Sequence, residues 1–143
     1  MESFFDAIKK INKISNGMEK IFAVALGGAA GSVARYLIAL LAGDYHTQTF
    51  PAGTFIANLL GCLLIGILWS LFDRIQISNE FRLFLFTGFL GGFTTFSTFA
   101  RETVQLFKVG EHVQAFTYLA VSNIFSLGMV ALGFILAHRF MRW

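Results

Sequence analysis

The chain has 143 residues, of which 56% are apolar and only 13% charged, and its formal net charge is +3. A soluble globular domain carries about 25% charged residues, so this composition excludes that class. The length suits a single domain. The sequence shows no cluster of basic residues that would form a nucleic-acid-binding surface, so we expect no nucleic-acid partner. The histidines fall in loops or at a helix end, and the single cysteine, Cys62, lies within an apolar run. We therefore expect no disulfide, no side-chain metal cluster and no enzymatic activity.

Apolar runs of roughly twenty residues recur along the chain and predict an all-α membrane protein with four transmembrane helices. The predicted spans are Ile21–Ala42, Thr54–Phe72, Leu83–Phe107 and Gln114–Ala137. Together they form one predicted transmembrane domain, residues 21–143, in contact with the lipid bilayer.

Residues 1–20 form a predicted N-terminal extension. Its apolar residues Phe4, Phe5, Ile8, Ile11 and Ile14 share one helical face, and Lys9, Lys10 and Lys13 lie largely elsewhere. This pattern is typical of an amphipathic helix that lies at a membrane surface. An unstructured or non-native segment is the alternative. The apolar core of a signal peptide does not occur within it, so we expect no such peptide.

The first span combines a small-residue face with one charged residue. Gly27 and Gly31 form a GxxxG spacing, a common pattern that allows another helix to approach closely. Arg35 lies toward the second end of this span. Its side chain either snorkels to the interface or lines a water-filled vestibule, and the sequence favours neither interpretation.

Polar residues at helical spacing mark the second and fourth spans. Thr54 and Asn58 share one face of the second span, where Asn58 either ties two helices together or lines a polar path. Tyr118, Ser122 and Ser126 form a hydroxyl stripe on the fourth span. Serines in membrane helices often bond their own backbone, but a stripe of this length favours a path.

The third span contains Gly-Phe-Leu-Gly-Gly-Phe-Thr-Thr-Phe-Ser-Thr-Phe at residues 88–99. Glycine lowers the cost of leaving helical geometry, and non-helical backbone in a membrane persists only inside protein or beside a wet cavity. Gly91-Gly92 followed by Thr94-Thr95 therefore predicts a helix break, whose freed carbonyls suit a cation and whose freed amides suit an anion. A packing face explains the glycines but not the clustered hydroxyls and phenylalanines, so we favour the break.

Beyond the predicted break, Phe96 and Phe99 are neighbours on one helical face, and Thr98 and Glu102 extend that side. Glu102 follows Arg101, and we prefer to interpret these two as an exposed ion pair. Phenylalanine edges carry positive quadrupole charge, and neutral hydroxyl and amide donors bind an anion weakly enough to release it. The residues predict a pore for a small anion without identifying the ion.

The sequence at 88–99 resembles the signature of the Fluc fluoride channels, also called CrcB proteins. The similarity continues in Gly27-Gly28 to Arg35, in Gly53-Thr54 with Asn58-Leu59, and in Ser122 to Gly133. It extends from Ile21 to the C-terminus. The N-terminal extension departs from the family pattern.

The resemblance implies an antiparallel, dual-topology dimer of four-helix subunits with two pores. These pores export fluoride passively across the bacterial inner membrane and lower its toxicity. The resemblance also implies a structural sodium ion, held by the backbone carbonyls of Gly91 and Thr94 at the crossed breaks. The implied fluoride pore consists of Asn58, Phe96, Phe99, Tyr118, Ser122 and Ser126, to which we add Thr98.

Two other functions are compatible with a four-helix membrane protein. One is a small dual-topology multidrug exporter, a class that needs a membrane-embedded carboxylate, which the first span lacks. The other is a membrane assembly protein that conducts no ions.

The distribution of basic residues bears on orientation. Most of them fall in the termini and the 73–82 loop, which favours both termini in the cytoplasm. An antiparallel homodimer instead needs both orientations. We prefer the homodimer, because this one chain contains the residues for both halves of each pore, and an inverted homologue as partner is the alternative.

Overall fold

The computed structural model describes residues 2–43 and 50–140, apart from the side chains of residues 2–5, 7, 8 and 10–13. The helices are α1 (Glu2–Leu41), α2 (Ala52–Phe72), α3 (residues 79–93), α4 (Phe96–Lys108) and α5 (His112–Phe140). Within α3, α-helical Asn79–Arg82 leads into π-helical Leu83–Leu90 and a last turn, Gly91–Phe93. Of the predicted apolar face of the extension, only Ile14 has a described side chain, which is 55% exposed. The C-terminal residues Arg142 and Trp143 fall outside the described part.

Four helical segments are long and apolar enough to cross a membrane: Ile14–Leu41, Ala52–Phe72, Asn79–Lys108 and His112–Phe140. The prediction of four transmembrane helices is confirmed, with ends that differ by a few residues. Because α1 begins at Glu2, residues 2–20 join the first span as one continuous helix without an intervening turn. That they lie on the membrane surface stays a prediction.

The helices pack as two close pairs, α1 with α3 and α2 with α5. Glycines allow both approaches. A Cβ atom at Gly88 would lie 2.9 Å from the Cα of Gly27, and a Cβ at Gly133 would lie 3.0 Å from the Cα of Gly66. Larger residues would force the paired backbones apart, as is usual for small-residue interfaces in membranes. The expected close-approach face on the first span is confirmed.

The subunit buries little of its own apolar surface. Only 11–22% of the most apolar window of each span is buried. The buried core lies between α4 and α5 and contains Phe99, Leu106, Ala115 and Tyr118. Outward-facing residues of α5, such as Ile124 and Leu127, are exposed in the isolated subunit. In a membrane such surfaces contact lipid or another chain.

Candidate functional site at the helix break

The third span is interrupted between α3 and α4. Thr94 (φ −86°, ψ 156°) and Thr95 (φ −152°, ψ 114°) have extended backbone, and helix resumes at Phe96. The predicted break is therefore present, but it falls after the glycines. Gly91 keeps helical angles of −65° and −36°, so the threonines form the break.

Threonine side chains satisfy the backbone groups on both sides of the break. The Thr94 hydroxyl donates to the Leu90 carbonyl at 2.9 Å, beside the last helical N–H bond to the same oxygen. The Thr95 hydroxyl caps α4 by accepting from the Thr98 amide at 3.2 Å, and it donates to the Thr98 hydroxyl at 3.0 Å. A hydroxyl at the N-cap position of a helix commonly accepts a bond from a backbone amide of the first turn, which explains the threonine at position 95.

Asn58 of α2 holds the extended segment in place. Its Oδ1 accepts from the Thr95 amide at 2.8 Å, and its Nδ2 donates to the Thr95 carbonyl at 3.2 Å. The carboxamide thus pairs with both backbone groups of one residue. Of the two roles that the sequence left open, these bonds show that Asn58 ties α2 to the break. Asn58 also lines the cavity described below, and that it lines an ion path stays a prediction.

The break frees carbonyl oxygens at the end of α3. The Thr95 amide donates to Asn58 instead of to Gly91, and the Thr98 amide donates to Thr95 Oγ1 instead of to the Thr94 carbonyl. The helix dipole is negative at this end, so the two carbonyls suit a cation. The neighbouring Gly92 carbonyl accepts from Arg35 Nε at 3.1 Å, which ties the Arg35 side chain to the break.

A cavity of about 370 Å³ lies beside the break. It collects most of the residues that were predicted for the pore and for the cation site. Its lining includes Asn58, Gly91, Thr94, Phe96, Phe99, Ser122 and Ser126, together with Cys62 and Asn123. The structure therefore brings together residues from α2, α3, α4 and α5 that are far apart in sequence.

Hydroxyl and aromatic groups meet in this cavity. The Ser122 Oγ is buried and has no hydrogen-bond partner within the described residues. Because an unpaired buried hydroxyl is costly, a ligand that accepts its hydrogen bond is favoured. The Phe96 and Phe99 rings lie 5.6 Å apart, centroid to centroid. Phe99 is buried, whereas Phe96 is 76% exposed in the isolated subunit.

A second cavity, of about 430 Å³, is lined by residues of α1, α2 and α4. Arg35 and Thr98 line this cavity and not the first one. Arg101 and Glu102 also line it, and their charged groups approach to 3.9 Å. The pocket therefore contains two cationic side chains and one carboxylate, and that Arg35 lines a water-filled vestibule stays a prediction.

Glu102 differs from its sequence-based interpretation as an exposed ion pair. Its side chain is only 15% exposed, against 75% for Arg101. The carboxylate accepts from the Thr54 hydroxyl and from the Tyr118 hydroxyl, both at 2.9 Å. These two hydrogen bonds are shorter than the 3.9 Å ion pair with Arg101 and stronger than it, so hydroxyl groups of α2 and α5 fix the Glu102 side chain.

Tyr118 lies within the core and does not line the first cavity. It is fully buried, and its ring packs 5.1 Å from that of Phe99. Tyr118, which was predicted to line the pore with Ser122, thus contacts one lining residue of each cavity: Phe99 of the first and Glu102 of the second.

Sequence reasoning missed the buried position of Glu102. The signal was present, because an acidic residue inside an apolar span usually has a partner.

Comparison with known proteins identifies the family. The family model described as CrcB-like protein, Camphor Resistance (CrcB), matches residues 22–134. A Desulfotalea psychrophila protein named fluoride-specific ion channel FluC is 60% identical over 121 residues, which cover 85% of this chain and 94% of the relative. A Phocaeicola vulgatus protein of the same name is 46% identical over 116 residues, 81% and 96% of the two chains. The resemblance is confirmed, and the chain is an integral, multi-pass membrane protein that belongs to the CrcB-like family.

Proposed function

We propose that this chain forms a fluoride-specific channel that lets fluoride leave the cytoplasm passively. One observation carries the proposal: Ser122, whose buried hydroxyl has no partner within the described residues, lines a cavity with Asn58, Phe96 and Phe99 beside a helix break. The name of the relatives supplies the identity of the ion.

The chemistry of the cavity fits a small anion. Its polar groups are neutral hydroxyls and amides, which can replace water around the anion without holding it permanently. The phenylalanine edges add a weak positive potential. Hydrogen fluoride enters a cell as a neutral acid and dissociates inside. An inside-negative potential then drives the anion out by about 2.3 kcal/mol per 100 mV, so a passive pore suffices.

The proposed assembly is an antiparallel dimer of this chain, with an inverted homologue as the alternative partner. Phe96 and Gly91 are exposed in the isolated subunit although they lie beside polar groups of the cavity. Much of the apolar surface of α5 is exposed as well. A second subunit would cover these surfaces and close the cavity into a pore on each side of the dimer axis.

A structural sodium ion is the proposed cofactor of the dimer axis. The Gly91 and Thr94 carbonyls have lost the helical N–H donors that would otherwise satisfy them. No three His, Cys, Asp or Glu side chains gather as a metal site within residues 2–43 and 50–140, so backbone oxygens are the available ligands. Such oxygens at broken membrane helices suit sodium. The ion would neutralise the negative ends of two facing α3 helices.

The relatives do not support the two alternative functions, a multidrug exporter and a non-conducting assembly protein. Their name describes a fluoride channel, and the carboxylate found in the third span, Glu102, is bonded to two hydroxyls near the end of the span. The proposed place of action is the bacterial inner membrane, where the membrane potential has the required sign.

A serine substitution tests the proposed function. Ser122→Ala should lower fluoride efflux from liposomes about tenfold, because it removes one hydrogen-bond donor worth about 1.4 kcal/mol to an anion. Ser70→Ala is the matched control, since Ser70 lies outside the 370 Å³ cavity. Equal efflux in both variants would contradict the placement of the ion path.

A separate experiment tests the orientation of the dimer. A cysteine appended after Trp143 in a Cys62→Ala background can be labelled from each side of intact cells. A homodimer predicts labelling from both sides, and deletion of residues 1–19 should make the two populations more equal because it removes basic residues. Labelling of the full-length chain from the cytoplasmic side alone would point to an inverted homologue.

A further inference from the structure

A third concave surface lies beside the middle of α1, next to Lys20. This groove of about 400 Å³ is formed by α1, the end of α2 and the start of α3. The lining residues that matter here are Lys20, Trp69, Asn79, Arg82, Phe86 and Thr87. It shares only Phe86 with the cavity beside the break.

The groove has an aromatic floor and a basic rim. The Trp69 and Phe86 rings meet edge to face at 5.4 Å, and Trp69 is 47% exposed. Lys20 and Arg82 are exposed and form no ion pair within the described residues. Asn79 and Thr87 add neutral polar groups. The lining has no acidic side chain. Glu19 and Glu80 are next in sequence to the lining residues Lys20 and Asn79, but they do not line the groove.

The position of the groove matches the headgroup region of a bilayer. Lys20 directly precedes residues 21–41 of α1, a mostly apolar stretch in which Arg35 is the one charged residue. As helix these residues span about 30 Å and so match the hydrocarbon thickness. Tryptophan is enriched at this level, and lysine and arginine side chains reach toward it. The rim therefore lies at the depth of lipid phosphates, and the aromatic floor lies at the depth where acyl chains begin.

We propose that this groove binds an anionic phospholipid, with the phosphate between Lys20 and Arg82 and an acyl chain against Trp69 and Phe86. Basic pockets between membrane helices recognise such headgroups. Two full positive charges would hold a permeating anion too firmly for conduction, so the groove is not part of the ion path. The apolar floor favours a lipid over a free phosphate ion.

Tryptophan fluorescence offers a local readout. In a Trp143→Phe background, Trp69 is the one remaining tryptophan of the chain. The protein is reconstituted into phosphatidylcholine vesicles that contain a small fraction of either brominated phosphatidylglycerol or brominated phosphatidylcholine. Both leaflets have the same composition, so the orientation of the protein does not affect the reading. Quenching by brominated phosphatidylglycerol should exceed quenching by the same fraction of brominated phosphatidylcholine.

Charge variants test the assignment. Lys20→Gln and Arg82→Gln should each lower the preference for phosphatidylglycerol about fivefold, as expected for one cation near an anionic headgroup. Arg74→Gln is the matched control, because Arg74 is exposed in the neighbouring loop and does not line the groove. Equal quenching by the two lipids, or an equal loss in Arg74→Gln, would overturn the proposal. Loss of the preference on adding inorganic phosphate at constant ionic strength would assign the groove to free phosphate instead.

Discussion

Replacement of Asn58 by alanine is the sharpest perturbation of the break. The change removes the 2.8 Å bond to the Thr95 amide and the 3.2 Å bond from Asn58 Nδ2 to the Thr95 carbonyl. Each buried backbone group left unpaired costs about 1–3 kcal/mol. Asn58 and Thr95 are half-buried in the subunit, so hydrogen bonds to water compensate for part of this cost. We expect the free energy of unfolding to fall by about 2–4 kcal/mol.

The same variant should also lose fluoride transport, because the extended backbone that positions Phe96 is no longer held. We expect fluoride efflux from liposomes to fall more than tenfold, while size-exclusion chromatography still shows the oligomer of the unsubstituted protein. Denaturant unfolding in detergent measures the stability.

Asn123→Ala is the matched control for this experiment. Asn123 lines the same cavity, but its amide donates to the Leu119 carbonyl of its own helix at 2.7 Å. Its removal should change stability by less than about 0.5 kcal/mol, as is usual for exposed positions. An equal loss of stability in the two alanine variants, or an unchanged unfolding midpoint in Asn58→Ala, would refute the role of Asn58 as the clamp of the break.

Three further predictions follow from the contacts around the cavity. Phe96→Ile and Phe99→Ile should both reduce fluoride efflux by removing an aromatic edge, but only Phe99→Ile should also lower stability, by about 1–2 kcal/mol, because only Phe99 is buried. If both variants conduct normally, the edges have no role. Gly92→Ala should destabilise the subunit, since a Cβ there would lie 2.7 Å from a backbone oxygen of α1, whereas Gly91→Ala meets no atom closer than 3.8 Å. If Gly91→Ala removes the sodium dependence of fluoride efflux without lowering subunit stability, the axial cation is supported. If Gly91→Ala destabilises the subunit more than Gly92→Ala does, the described packing is contradicted. Glu102→Ala should lower the free energy of unfolding by about 3 kcal/mol, because two charge-assisted hydrogen bonds are lost. Glu102→Gln should lower it less, because the amide oxygen still accepts one of these bonds. Coinciding unfolding curves for the two variants would contradict this role of the carboxylate.

Much of the fold was predictable because a bilayer imposes a simple rule. Each span needs about twenty apolar residues, and those runs are unmistakable in the sequence. The glycine spacing of α1 correctly predicted a close helix approach, because only small residues permit it. The π-helical turns of α3 had no sequence signal, since they keep the apolar composition of an ordinary span.

The site was predictable in its composition but not in its connections. Clustered glycines and threonines in an apolar span indicated a break across Gly91-Gly92 and Thr94-Thr95, but the sequence could not say which of the two pairs leaves helical geometry. The structure places it at Thr94 and Thr95, because Asn58 satisfies their backbone from another helix. That contact, like the bonds from Thr54 and Tyr118 to Glu102, joins residues far apart in sequence and depends on how the helices pack.

Selective fluoride permeation is the central claim, and an efflux measurement tests it most directly. Purified protein is reconstituted into liposomes loaded with equal concentrations of potassium fluoride and potassium chloride, and valinomycin starts the efflux while selective electrodes follow each ion. The neutral donors and aromatic edges of the cavity beside the break predict rapid release of fluoride with chloride retained. Release of the two ions at similar rates, or of neither, would contradict the account.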